Sequence, residues 1–214
     1  MMHGSSAPLR LAVFASGGGS NFGAMLKAIG AGRLDAEPVL LITDRPGISA
    51  IEKAERAEVP VAVLPPSGFA SEGAFAEALL EVLAQHGADF VALAGYLKKI
   101  PAEVVQAYRH RMLNIHPALL PAFGGKGFYG QRIHEAVLEH GCRVTGVTVH
   151  LVDAEYDTGP IVLQEPVPVK QDDTPRSLAA RVLQVEHHLY PKALQLFAED
   201  RVILEDRRVL IREA

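Results

Sequence analysis

Asn114 and His116 are separated by one apolar residue in the stretch Asn114-Ile115-His116-Pro117-Ala118-Leu119-Leu120-Pro121. The apolar pair Met112–Leu113 leads into them, and a proline-punctuated loop follows. If the run is a strand, alternation turns both side chains to one face, and Pro117 keeps His116 extended. An amide N–H beside a titratable imidazole is the pair that acyl transfer needs. One group holds a developing oxyanion and the other moves protons. A lone histidine is more often structural, and a lone Asn114 would be a strand-end cap. The position at a strand end, before a glycine-rich loop, is what points to chemistry.

A carboxylate for that pair is offered by Val149-His150-Leu151-Val152-Asp153-Ala154-Glu155-Tyr156-Asp157-Thr158-Gly159-Pro160. Asp153 and Glu155 read as members of a solvated turn. Asp157 precedes Thr158-Gly159-Pro160, a turn that can aim its side chain inward. Beside His116 it would raise the imidazole pKa and keep the ring protonated. His150 reads as a strand residue with a hydrogen-bonded ring. No metal site is expected. His187 and His188 are adjacent on a helical segment and face different directions. His134-Glu135 begins like a zinc-protease helix, but Leu138 stands where the second histidine belongs.

Ser16-Gly17-Gly18-Gly19-Ser20-Asn21 lies between a strand and a helix. Glycines let a ligand approach the backbone, and amides at a helix start attract a phosphate; the alternative is a structural tight turn. It is not a P-loop, since no Gly-Lys-Ser/Thr follows. As a dinucleotide fingerprint it fails at Phe22. Asp44, after the second strand, keeps a nicotinamide reading open, or merely opens the turn before Pro46.

The elements that must position these residues alternate in type. Strands are expected at Leu9 to Ala15, Val39 to Thr43, Val61 to Leu64, Asp89 to Ala94 and Arg111 to Ile115. Helices are expected from the glycine loop to about Ile29, over Ile48 to Ala57, over Glu72 to Gln85 with Phe75, Leu79 and Leu83 on one face, and from Pro101 to Ala107. The loop after His116 carries Pro117, Pro121, Gly124, Gly125, Gly127 and Gly130. A helix over about Ile133 to His140 follows, then extended segments Val144 to Val152 and Pro160 to Val169. Pro166 and Pro168 place the last of these at a sheet edge. Leu178, Val182, Val185 and Leu189 mark a long amphipathic helix, and Val202 to Leu204 with Val209 to Ile211 a closing hairpin. The pattern is that of an α/β fold, a Rossmann-like, mostly parallel sheet flanked by helices in a single domain.

Composition fits that frame. The chain has 214 residues, 49% of them hydrophobic, and a formal net charge of −4. That is enough for one well-buried domain. It gives no electrostatic case for nucleic acid or an anionic membrane. One cysteine, Cys142, excludes an internal disulfide framework. No apolar run reaches the roughly 18 residues of a membrane span. Residues 1–8 read as a flexible leader without a signal-peptide core, and the expected location is cytoplasmic.

Together these segments resemble the phosphoribosylglycinamide formyltransferases of the folate-dependent formyltransferase superfamily. The matching motifs are Ser-Gly-Gly-Gly-Ser-Asn at 16–21, Leu-Ala-Gly-Tyr at 93–96, Asn-Ile-His-Pro-Ala-Leu-Leu-Pro at 114–121, Asp-Thr-Gly-Pro-Ile at 157–161 and Glu-His-His-Leu-Tyr-Pro at 186–191. They run in family order over about residues 9 to 200. The resemblance implies a phosphoribosyl-binding half over 9–110 and a catalytic, folate-binding half over 111–214. It implies transfer of the formyl group of 10-formyltetrahydrofolate, as co-substrate, to the amine of glycinamide ribonucleotide in purine biosynthesis. Asn114, His116 and Asp157 match the catalytic trio. Gly19, Ser20 and Asn21 match the phosphate-binding residues, and Glu186 a contact of the glycinamide substrate. Leu97, Lys98, Lys99 and Ile100, with Asp153, Ala154, Glu155, Tyr156, Asp157 and Asn114, match the folate pocket. A cis Leu120–Pro121 bond is implied as well. Partners are small molecules, with no nucleic acid and no membrane, and the chain is expected as a monomer or homodimer.

Two features depart from the family pattern. Glu72 stands where the family often has a ligand-binding arginine, leaving Lys98, Lys99 and Lys126 as candidate cations. The loop from Phe123 to Gly130 is longer than in short family members and suits a lid. The alternatives carried forward are a 10-formyltetrahydrofolate hydrolase, a methionyl-tRNA formyltransferase (which the negative charge disfavours), a nicotinamide-dependent oxidoreductase, and a nucleotide- or folate-binding module.

Overall fold

The computed structural model describes residues 7–213; most of the expected leader lies outside them. A seven-stranded sheet runs through the molecule. Its strands are β1 (Leu9–Phe14), β2 (Ala36–Thr43), β3 (Val61–Val63), β4 (Phe90–Leu93), β5 (Met112–His116), β6 (Val144–Leu151) and β7 (Ile161–Pro168), in the spatial order β3-β2-β1-β4-β5-β6-β7. The first five are parallel, and β6 and β7 run antiparallel. The central strands are buried on both faces, which is why they read as continuous apolar runs rather than alternating ones. β2 starts earlier than the expected Val39. Pro38 lies within it, and the β1–β2 register shifts between Leu11 and Ala12, where the ladder passes this residue without an N–H.

The helices are α1 (Ser20–Gly30), α2 (Ser49–Arg56), α3 (Glu72–Gln85), α4 (Ala102–Ala107), α5 (Gln131–Glu139) and α6 (Pro175–Ala198). Pro101 is the N-cap of α4 rather than its first residue. α3 starts where Ser71 accepts the Ala74 N–H, and it buries Phe75, Ala76, Leu79 and Leu83. These pack with Phe14, Leu40, Ile42 and Met112 on one face of the sheet. On the other face α6 covers Leu11, Val13 and Leu113 together with α1. α6 opens with a capping box between Thr174 and Ser177 and continues through Pro191. The bidentate Asp173–Arg181 pair, at 2.6 and 2.7 Å, ties its first turns to the preceding loop and holds the Asp173 carboxyl well below the usual range. The expected hairpin forms as β8 (Val202–Glu205) and β9 (Arg208–Ile211).

Strand order reverses between β1 and β4, so the loops after these two strands diverge and leave a crevice at the carboxyl ends of the sheet. Tyr190 of α6 locks that end. Fully buried, it shares its hydroxyl proton between the carbonyls of Leu93 (3.0 Å) and Leu113 (2.9 Å), on β4 and β5. Tyr190→Phe is expected to lower the unfolding free energy by about 1–2 kcal/mol. Urea denaturation reads this out, and an unchanged midpoint would show that the hydroxyl contributes nothing.

Candidate active site

Asn114 and His116 lie at the end of β5 and share a face, as alternation requires. The antiparallel neighbour β6 sets His150 directly opposite Asn114 and Thr148 opposite His116. Thr148 is buried and donates to the Ala118 carbonyl, while the Leu120 N–H donates to it. This clamps the corner that contains the cis Leu120–Pro121 bond.

The chain after β6 then turns back. Asp153 accepts the Thr158 hydroxyl at 2.6 Å and the Glu155 N–H at 3.2 Å, closing the turn from inside. Gly159 passes so close to the Leu151 carbonyl that a Cβ would lie 1.7 Å from its oxygen, so only glycine fits. Asp157 takes a left-handed conformation, with φ 58°. Its carboxylate, with the side chain 11% exposed, enters the site.

There it meets four groups. One oxygen accepts the Gly125 N–H at 2.9 Å and lies 3.5 Å from His116 Nδ1. The other lies 3.5 Å from His150 Nε2 and 3.4 Å from Asn114 Nδ2. The Leu151 carbonyl, 2.9 Å away, takes the His150 Nδ1–H and leaves Nε2 to accept from Asn114 at 3.1 Å. The Asn114 amide therefore bridges His150 and Asp157, making the stronger contact to the ring.

The charge state of His116 differs from the sequence expectation. Burial of the ring lowers its pKa more than the Asp157 carboxylate and the Phe123 carbonyl raise it, and His150 lowers it further. The carboxylate is a neighbour rather than a close ion-pair partner, while desolvation acts on the whole ring. His116 Nε2 carries the proton and donates to the Phe123 carbonyl at 2.9 Å, so the neutral ring leaves the Nδ1 lone pair toward Asp157. Asp157 is itself pushed up by burial, but the protonated forms of His150 and His116, together with the Gly125 N–H, favour its carboxylate and hold it below the ordinary value.

The catalytic, substrate-binding and folate-pocket residues that the resemblance implied all line one cleft of about 650 Å³: Gly19, Ser20 and Asn21, Leu97 to Ile100, Asn114 and His116, Asp153 to Asp157, and Glu186. Asn21 donates to the Glu186 carboxylate at 2.7 Å, joining α1 to α6 at the floor. Burial pushes the Glu186 carboxyl up toward protonation. Gly125 to Gln131 form part of the wall, with Lys126 among them. Glu72 is an exposed residue at the start of α3 and does not line the cleft. Of the candidate cations, Lys98 leans toward Asp44 at 3.9 Å, and Lys99 and Lys126 line the cleft. Asp44 is buried, bonds Arg45 at 2.8 Å and is not a lining residue, which removes the carrier of the nicotinamide reading. Among the described residues, no group of three or more His, Cys, Asp or Glu side chains is arranged to hold a metal ion, and no helix is long and apolar enough to cross a membrane.

Two residues belong to the site that the sequence reading left structural. His150 is one. His134, buried on α5 and lining the cleft with its Nδ1 unbonded, is the other. The signal for His150 was its spacing ahead of Asp157 on a strand. It becomes informative only once that strand is known to pair with the one carrying Asn114.

A glycine loop at a sheet's switch point, facing an Asn–His–Asp group across one cleft, makes this an α/β protein whose cleft sets backbone amides suited to an anion opposite groups suited to acid–base chemistry. Residues 9–194 match the formyl transferase family model, and the chain belongs to that family. It is 49% identical over 194 residues to a chloroplastic phosphoribosylglycinamide formyltransferase of Arabidopsis thaliana, covering 90% of this chain and 66% of that protein, so it spans about two thirds of the plant relative's length. It is 38% identical to the phosphoribosylglycinamide formyltransferase of Bacillus subtilis, over 87% of this chain and 93% of that one. The crystal structure of glycinamide ribonucleotide transformylase 1 from Symbiobacterium toebii superposes with a TM-score of 0.92 at 41% identity, covering 97% and 96% of the two chains.

Histidine NMR should place the His116 titration below the ordinary imidazole value of 6.5, and Asp157→Asn should move it lower still, since the substitution removes the one neighbouring charge that favours protonation. A His116 midpoint above the ordinary value, or an upward move in Asp157→Asn, would contradict this electrostatic picture.

Proposed function

We propose that this protein transfers the formyl group of 10-formyltetrahydrofolate to the amine of glycinamide ribonucleotide. The observation that carries the reading is the Asp157 carboxylate, held within 3.5 Å of both His116 and His150 and hydrogen-bonded by Gly125. It lies in the same cleft as the glycine loop.

In this reading the ribonucleotide phosphate lies against Gly19, Ser20 and Asn21, and Glu186 receives the glycinamide end. The pterin occupies the part of the cleft lined by Leu97 to Ile100 and Asp153 to Asp157. The amine attacks the formyl carbon directly, and its carbonyl oxygen becomes an oxyanion. Asn114 donates to that oxygen by giving up its weak 3.4 Å contact with Asp157 while keeping its bond to His150. The neutral His116 accepts the proton released by the attacking amine at Nδ1. Asp157 and the Phe123 carbonyl then stabilise the imidazolium, which returns the proton to the leaving N10. This reverses the sequence-based assignment of His116 as a standing cation: its charge develops with the reaction, where Asp157 can favour it differentially. His134 and His150 join as supporting groups. Both substrates are small molecules, and we place the enzyme in the cytoplasm as part of the same proposal.

The test is an assay with 10-formyltetrahydrofolate in the presence and absence of glycinamide ribonucleotide. Formylated ribonucleotide, with no formate released from folate alone, is expected. Formate without acceptor would move the assignment to the hydrolase. Asn114→Ala is expected to lower kcat by about 100- to 1,000-fold, with the KM values little changed. A KM-only effect would remove Asn114 from oxyanion stabilisation.

A further inference from the structure

Two successive peptide groups of the glycine loop have their carbonyls tied to one short helix, α2. The Ala50 N–H donates to the Gly17 carbonyl at 3.3 Å. The Lys53 ammonium donates to the Gly18 carbonyl at 2.7 Å and reaches the Ser49 carbonyl at 3.5 Å. A trans peptide is planar, so its C=O and the following N–H point in opposite directions. Holding the Gly17 and Gly18 carbonyls toward α2 turns the N–H groups of Gly18 and Gly19 away from it. No residue of α2 lines the cleft, whereas Gly17 to Asn21 all do. Neither of these N–H groups has a hydrogen-bond partner among the described residues.

The seat of Lys53 is closely fitted. Its stem crosses the first turn of α1 at Gly23, where a Cβ would lie 3.5 Å from both Cδ and Cε. Gly19 has φ 61°, and a Cβ there would come within 2.7 Å of the Ala50 Cβ, so the loop rests directly on α2. Among the described residues no carboxylate forms an ion pair with Lys53. Its charge is spent on loop and helix carbonyls alone.

We infer that Lys53 is a positioning residue for the anion-binding loop. It fixes the Gly18–Gly19 peptide with the N–H toward the substrate phosphate and sets a positive charge behind it. The inference rests on the reading that residues 16–21 hold that phosphate. Without the ammonium the Gly18 carbonyl is free to turn, and a flipped peptide would present an oxygen to an anion.

The experiment compares the natural protein with Lys53→Met and Lys53→Arg, measuring KM for each substrate, kcat, and inhibition by inorganic phosphate. Lys53→Met is expected to raise KM for glycinamide ribonucleotide by about tenfold, the size of one lost charge-assisted hydrogen bond. Phosphate inhibition should weaken by a similar factor, with kcat and the KM for folate close to the natural values. Lys53→Arg should restore most of both. Unchanged ribonucleotide KM and phosphate inhibition in Lys53→Met would overturn the inference while leaving the loop's role intact. A uniform loss in kcat and both KM values would also overturn it, in favour of a purely structural lysine. Failure of inorganic phosphate to compete with the ribonucleotide in the natural protein would instead bring down the reading of the loop, and this inference with it.

Discussion

A single buried carboxylate organises the cleft. Taking Asp157 out of water is costly unless its oxygens are satisfied, and the groups around them come from three separate stretches of chain. Gly125 supplies an N–H from the loop after β5 and Asn114 an amide N–H from β5, while His116 on β5 and His150 on β6 stand 3.5 Å away, where the carboxylate favours their protonated forms. The carboxylate stays below its ordinary pKa despite burial because these partners act together. Its own position is set by the turn that Asp153 and Gly159 enforce. A local turn rule thus fixes where the site's negative charge falls, and that charge decides which groups can gather around it.

The sheet makes the gathering possible. Its first five strands are parallel and end on one side, so the loops after β1 and β4 and the end of β5 meet at one crevice. The antiparallel β6 then adds what a purely parallel sheet would not: a histidine placed across from Asn114 by ladder register. α6 seals the arrangement from below, with Tyr190 on the carbonyls of Leu93 and Leu113 in adjacent strands and Glu186 bonded to Asn21. The strand order and the choice of antiparallel closure therefore bring together the glycine loop and the Asn114–His116–Asp157 group.

Much of this was legible in the residues. α3 begins and ends at the residues its periodicity indicated, because local propensity and apolar spacing agree there with the cap that Ser71 supplies. The Asn114–His116 geometry followed from strand alternation alone. The role of His150 did not, because strand pairing is a long-range property that the sequence of a single strand does not encode. The charge state of His116 escaped for a related reason. The neighbouring carboxylate was visible as a motif, but the burial that outweighs it comes from the packing of the surrounding strands and loops around the ring. The Pro38 irregularity in β2 was hidden because proline argues locally against a strand, whereas the ladder accommodates it by a register shift.

The central claim is that one formyl carbon is bracketed by the Asn114 amide and the His116 imidazole while Asp157 stays anchored to Gly125. The most direct measurement is a crystal structure of the ternary complex with glycinamide ribonucleotide and a non-transferable 10-formyl folate analogue. The formyl oxygen is expected within about 3.2 Å of Asn114 Nδ2, and the attacking nitrogen within reach of His116 Nδ1 directly or through one water. A formyl group bound elsewhere in the cleft, with Asn114 still engaged only by His150 and Asp157, would contradict it.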